Sequence, residues 1–147
     1  MALTEGIGGF WSVSAATPAP FDAAGYVALT YSEVGEASEI PEYGAAHAVN
    51  TFTPLKTGID NKFHGALNYG SVTIPLGYDS ADAGQIILLA ALASKDAISF
   101  RETRSDGTIR YIMGKVFSFT RGQTVGSVNM ASCMIEFTTA DVEVAAS

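Results

Sequence analysis

The sequence predicts a mainly β chain: a β-sandwich or half-open barrel with one flanking α-helix at about residues 80–94. Three observations predict it. Short runs rich in β-branched and aromatic residues recur between Gly, Pro and Asx breakers, the pattern of several strands. Only one stretch, residues 85–93, is a long apolar run behind a capping signal. The composition, 48% hydrophobic and 16% charged over 147 residues, is too apolar for disorder and too poor in charge for a coiled coil. A single domain spanning residues 1–147, with a buried core, is the expectation at this length.

The elements follow in chain order. Residues 1–24 are small and turn-rich (Gly6, Gly8, Gly9, Pro18, Pro20), with Phe10, Trp11 and Phe21 as isolated anchors. They read as an extended N-terminal arm. Residues 26–32, Tyr-Val-Ala-Leu-Thr-Tyr-Ser, have the content of a first strand. Residues 35–61 are interrupted by Gly35, Pro41, Gly44, Pro54 and Gly58 and read as a long loop with one short strand at 47–53. Compact domains rarely keep such a loop without a use for it. From 62 to 78 the chain alternates: Val72, Ile74, Leu76 and Tyr78 share one face, Tyr69, Ser71, Thr73 and Pro75 the other. Pro75 cannot donate to a ladder, so this strand needs an edge or a bulge. Asp79-Ser80-Ala81-Asp82 then offers a cap and an early carboxylate to the helix. Residues 97–101 read as a strand, Ser105-Asp106-Gly107-Thr108 as a hairpin turn and 109–119 as the returning strand. Residues 121–126 turn again, 127–138 form a last strand, and 141–147 are a short acidic tail.

Charge narrows the function classes. Fifteen acidic against eight basic residues give a net charge of −7, which opposes attraction to nucleic acid or an anionic membrane. The acidity is concentrated: residues 1–44 hold Glu5, Asp22, Glu33, Glu36, Glu39 and Glu42 and no Lys or Arg. Glu33, Glu36, Glu39 and Glu42 recur every three residues, a spacing that matches no Ca²⁺ loop. A solvated acidic face, or a surface that repels another polyanion, fits them better. No basic leader opens the chain and no apolar run approaches membrane-spanning length, so synthesis in a cytoplasm is expected. Cys133 lies on an apolar strand face with Ala131, Ile135 and Phe137 and reads as a core residue. His47 and His64 are the only imidazoles, and no nucleophile elbow, zinc ligand set or phosphate loop accompanies them. No enzymatic activity, cofactor or metal is expected. Arg101, Arg104, Arg110, Lys115 and Arg121 are interrupted by Glu102 and Asp106 and read as a salt-bridged hairpin or subunit seam.

Three segments together resemble the major tail tube protein of long, flexible-tailed bacteriophages. Asp82-Ala83-Gly84-Gln85 followed by Leu88-Leu89-Ala90 is similar to that family's acidic-x-Gly-Gln helix start. Asp106-Gly107-Thr108 with Gly114-x-Val116-x-Ser118 resembles its hairpin and returning strand. Val34-Gly35-Glu36-x-x-Glu39-Ile40-Pro41-Glu42-Tyr43-Gly44 resembles the lead into its long loop. The match covers about residues 26–143.

The resemblance implies a structural virion protein: a sandwich subunit with one flanking helix, assembled as homohexameric rings stacked into a tube through which DNA passes without specific binding. It implies a place in the virion tail and tape measure, tail terminator and tail tip proteins as partners. It also implies that the loop and termini bridge successive rings, which assigns inter-ring contacts to Ile40, Phe52, Pro54, Leu55, Phe63, Phe10 and Trp11. Glu33, Glu36, Glu39 and Glu42 would then form an acidic lumen or repulsive surface. Six copies at −7 carry −42 per ring, and cations lining a bore would add attractive DNA contacts. If each subunit lent four strands, the ring of strands would have a backbone diameter of ~37 to 48 Å, wide enough for a duplex. A tail terminator or connector ring, or a secretion-type tube subunit, is the alternative expectation.

Overall fold

A computed structural model describes residues 9–18, 22–35, 37, 40–123, 125–126 and 129–144. One antiparallel sheet dominates it. Its strands are β1 (Phe10–Ser14), β2 (Ser32–Val34), β5 (Ser71–Gly77), β6 (Ile98–Thr103), β7 (Ile109–Gly122) and β8 (Met130–Phe137), in the order β2-β1-β6-β7-β8-β5. A short β9 (Val142–Val144) pairs with the start of β7. Two further strands, β3 (Ala46–Phe52) and β4 (Asn61–Asn68), pair only with each other. The helices are α1 (Ala23–Val27) and α2 (Ala83–Ser94).

The sheet curls because β7 serves two partners in succession. Its first half pairs with β6 and its second half with β8, and Gly114 belongs to both ladders, opposite Ile98 and Phe137. A Cβ at Gly114 would lie 2.9 Å from the Ile135 Cγ2 and 3.0 Å from the Phe137 ring, so the two ladders meet only over a glycine. Beyond it, a bulge between Val116 and Ser118 resets the alternation around the exposed Phe117 and returns Phe119 to the interior. The concave face then closes over Trp11, Phe100, Ile112, Ile135, Phe137, Ile74, Leu76 and Leu88, with Cys133 fully buried among them. Burial pushes the Cys133 thiol up to about 12, as expected of a core sulfur rather than a nucleophile.

The two sheet edges approach each other. Beyond β2, Ala37 bridges to Leu76 of β5, so the sheet is a nearly closed barrel with α2 lying across it. This is the predicted class of fold, mainly β with a flanking helix, and α2 starts and ends within the predicted span. Helix α2 is capped by Asp82, whose carboxylate accepts from the Gln85 amide, and it ends at Lys95 in the left-handed region, φ 65.

Several expectations are corrected. Residues 26–31 form no strand: Asp22 caps α1 by accepting from the Gly25 amide at 2.9 Å, and Tyr26 stacks on Tyr111 at 5.3 Å. That packing overrides the strand propensity, and the strand falls later, at β2. The N-terminal arm is not an appendage where it is described, because β1 lies inside the sheet between β2 and β6. Five residues of strand sit there in a glycine-rich setting that conceals them. The single strand expected over 62–78 is two, broken at Gly70 (φ +99), whose amide donates to the Asn68 side chain at 2.8 Å. The first half goes to the separate hairpin and the second to the sheet edge, which suits Pro75. Within the acidic tail, residues 142–144 add a strand over a second cluster of Tyr26, Tyr111 and Met113.

Candidate assembly surface

The β3–β4 hairpin is the most exposed element described. Every residue of β3 is exposed, and every residue of β4 except Gly65. Yet it is not polar: Val49, Phe52, Leu55, Ile59, Phe63 and Leu67 all face solvent, Phe52 at 63% and Leu55 fully. An isolated two-stranded hairpin is marginal in water, and a contiguous exposed apolar surface marks an interaction site. At its tip, the Thr53 hydroxyl bonds the Asp60 carboxylate, and Gly58 turns the chain at φ +65 while its amide donates to the Pro54 carbonyl at 2.9 Å. The tip is thus shaped while its side chains point outward.

The root of this hairpin is firmly held. Gly44 and Gly70, its two flanking residues, touch: a Cβ at Gly70 would lie 2.5 Å from the Gly44 carbonyl oxygen. Just before it, Tyr43 packs its ring against Phe137 at 4.7 Å and Trp11 at 5.8 Å, with the Arg110 guanidinium 5.0 Å above its face. Beneath lies Glu102, fully buried, taking a hydrogen bond from the Arg104 guanidinium at 3.3 Å. Burial raises the Glu102 carboxyl above the usual carboxylate range, against the pull of Arg110 and Arg104. Arg110 also pairs with Asp141 at 3.2 Å. A rigid pedestal therefore carries an uncovered arm.

The acidic-x-Gly-Gln segment has a defined task at the barrel seam. One Asp82 oxygen accepts both from the Gln85 amide, as the helix cap, and from the Gly35 amide at 3.0 Å each. Gly84 lies against β2 so closely that a Cβ would sit 2.4 Å from the Glu33 carbonyl oxygen. Gln85 is buried, and its side-chain amide donates to the Gly35 and Gly77 carbonyls at 3.1 and 2.9 Å while its oxygen accepts from the Asp79 amide at 3.0 Å. The segment ties the end of β2 to the end of β5. Its spacing was legible as a helix start; the bond across 47 positions to Gly35 was not.

The predicted contact residues divide. Phe52, Leu55 and Phe63 are exposed on the hairpin and Pro54 is half-buried at its tip. Phe10 is half-buried at the start of β1, and Ile40 is half-buried against the core. Trp11 is corrected: it is fully buried within its own chain and offers nothing to a neighbour. Glu33 and Glu42 are exposed; Glu36 and Glu39 lie outside the described residues. Three of the predicted arginines are engaged within the chain in further ways, Arg101 over the Tyr31 ring at 4.7 Å, Arg121 bonding the Tyr78 hydroxyl at 3.3 Å, and Arg104 on Glu102. Among the described residues no three or more His, Cys, Asp or Glu side chains converge as a metal centre, and no helix is long and apolar enough to cross a membrane.

The fold built by this curled sheet and its flanking helix is shared with two solved structures. The chain is similar to the SPP1 tail tube, solved by solid-state NMR and cryo-EM, with a TM-score of 0.57 and 15% identity over 92% of this chain and 75% of that one. It is also similar to a chain of the anti-feeding prophage (AFP) baseplate, solved by cryo-EM with 6-fold symmetry, with a TM-score of 0.66 and 9% identity over 98% of this chain and 95% of that one. No protein-family model and no curated protein matches the sequence. The shared property is the fold.

Proposed function

We propose that this chain is a structural subunit of a phage tail tube, assembling as hexameric rings that stack into a conduit for DNA. The observation that carries the reading is the β3–β4 hairpin, an apolar arm on a rigid pedestal in a fold similar to the SPP1 tail tube. Such an arm is stable only when covered, and a second copy in the next ring is the cover this fold supplies. In this reading Phe52, Pro54, Leu55 and Phe63 make the inter-ring contact, with Ile40 and Phe10 at its margin. Glu33, Glu36, Glu39 and Glu42 keep the assembled surface unattractive to DNA. The protein acts in the virion tail beside tape measure, terminator and tip proteins, after synthesis in the host cytoplasm. Electron microscopy of the purified protein at high concentration tests it: hollow rings or tubes with a regular axial repeat are expected. Monomers with a hairpin that stays rigid would point to a binding module instead.

The likeness to the AFP baseplate favours a second reading, a ring that occurs once per particle. Abundance separates the two. A tube subunit dominates particle protein, whereas a single-copy ring forms closed rings that do not stack.

A further inference from the structure

The hairpin brings together the only two histidines of the chain, which the sequence separates by a turn and a strand. His47 on β3 and His64 on β4 face each other with ring centroids 5.0 Å apart and planes at 79°. With metal–nitrogen bonds of about 2.0–2.1 Å and each nitrogen about 1.1 Å from its ring centre, two imidazoles on one ion at cis-octahedral to tetrahedral angles stand about 4.5–5.1 Å apart. The observed separation already lies in that range. His47 Nδ1 is 3.3 Å from the Gly65 carbonyl oxygen. Donation to that carbonyl leaves Nε2 as the free lone pair, the arrangement that orients metal-bound histidines. No hydrogen bond to a described residue restrains the His64 ring, so it can turn toward the same point. The two rings border an open depression of about 320 Å³, lined also by Ala48, Val49, Lys62 and Phe63, with room for waters to complete a coordination shell.

We propose that His47 and His64 form a two-imidazole clip for a divalent transition ion, of the class that imidazole nitrogen prefers: Cu²⁺, Ni²⁺ or Zn²⁺. The site lies where the β3–β4 register shifts, between His47 and Val49. An ion held there locks the register of a hairpin whose strands pair only with each other. Lys62, a like charge on the rim, weakens the site without supplying a ligand.

The test titrates the purified subunit with zinc, nickel or copper chloride and follows hairpin amide and imidazole resonances, with calorimetry for affinity. Resonances of His47, His64 and Gly65 should move or broaden together, with Cu²⁺ binding more tightly than Ni²⁺ or Zn²⁺. His47→Ala and His64→Ala should each weaken binding at least tenfold, and the ion should slow hydrogen exchange in 46–68 of the wild type but of neither histidine variant. Lys62→Ala, which keeps both ligands, should bind severalfold more tightly, and this guards against a hairpin merely disrupted by the histidine variants. Unchanged resonances at millimolar Zn²⁺ and Cu²⁺, or equal binding by wild type and both histidine variants, would overturn the proposal.

Discussion

Two hairpins in this chain follow the same plan and meet opposite fates. The β6–β7 hairpin turns at Asp106-Gly107, where Gly107 takes φ 93 and Asp106 accepts from the Thr108 amide at 2.9 Å, and its strands lie inside the sheet. The β3–β4 hairpin turns at Gly58 and pairs with nothing else. Phe100 of the first is fully buried; Phe63 of the second is 59% exposed. Residue type is therefore no guide to which phenylalanine stabilises this chain. What decides is whether the chain lays a covering layer of its own over the ring, as it does for Phe100 and does not for Phe63.

That contrast can be broken or sharpened by substitution. The largest effect is expected from Phe100→Ala, about 3–5 kcal/mol of lost stability in chemical denaturation. Phe63→Ala should change the stability of the free subunit by no more than about 0.5 kcal/mol; equal costs would mean that the hairpin packs on its own chain. Next comes Gln85→Leu, which leaves the Gly35 and Gly77 carbonyls and the Asp79 amide without their partner, at about 1–3 kcal/mol. Its signature should be opening of the β2–β5 seam, read as faster amide exchange at β2 and Ala37.

Glu102 adds a pH dependence to the buried side of the comparison. Its carboxyl is raised by burial, so the folded state holds a proton that the unfolded chain has released. Stability is then greatest below the ordinary carboxylate range and falls as pH rises from there through the folded value. Glu102→Gln keeps an acceptor for Arg104 and should flatten this slope in urea midpoints measured between about pH 4 and 8. The smallest effect on the free subunit is expected from Leu55→Asp, whose side chain touches solvent alone. Thermal melts should be unchanged while tube formation is lost, and normal polymerisation of this variant would remove the hairpin from the stacking contact.

Legibility followed the range of the interactions. Helix α2 and the Asp106-Gly107 turn could be read because their signals are local: a capping carboxylate before an apolar run, an Asx-Gly pair between two strands. The fold class followed from the same signals taken together. The failures share one cause, that the deciding partner lies far along the chain. Residues 26–27 became helix because Tyr26 meets Tyr111. Trp11 became core because β1 lies beside β6, and residues 62–78 split because Gly70 must pass against Gly44. In the candidate surface, the exposed apolar tip was legible as a loop too long to be idle. The Tyr43 pedestal and the approach of His47 to His64 were not, since neither leaves a mark in spacing.

The placement of β1 also sets a clock. Trp11 lies opposite Glu102, about 90 residues downstream, and translation at about 5–20 residues per second separates the two by about 5–18 seconds. Throughout that interval β1 has only β2 beside it, and the Trp11 side chain lacks the cover that the later strands bring. The β6–β7–β8 meander can form from local contacts as soon as it emerges, but it waits with one edge open until the oldest part of the chain returns to it. The subunit's first-made strand is thus among the last to dock, and a nascent chain cut before residue 98 leaves β1 without β6.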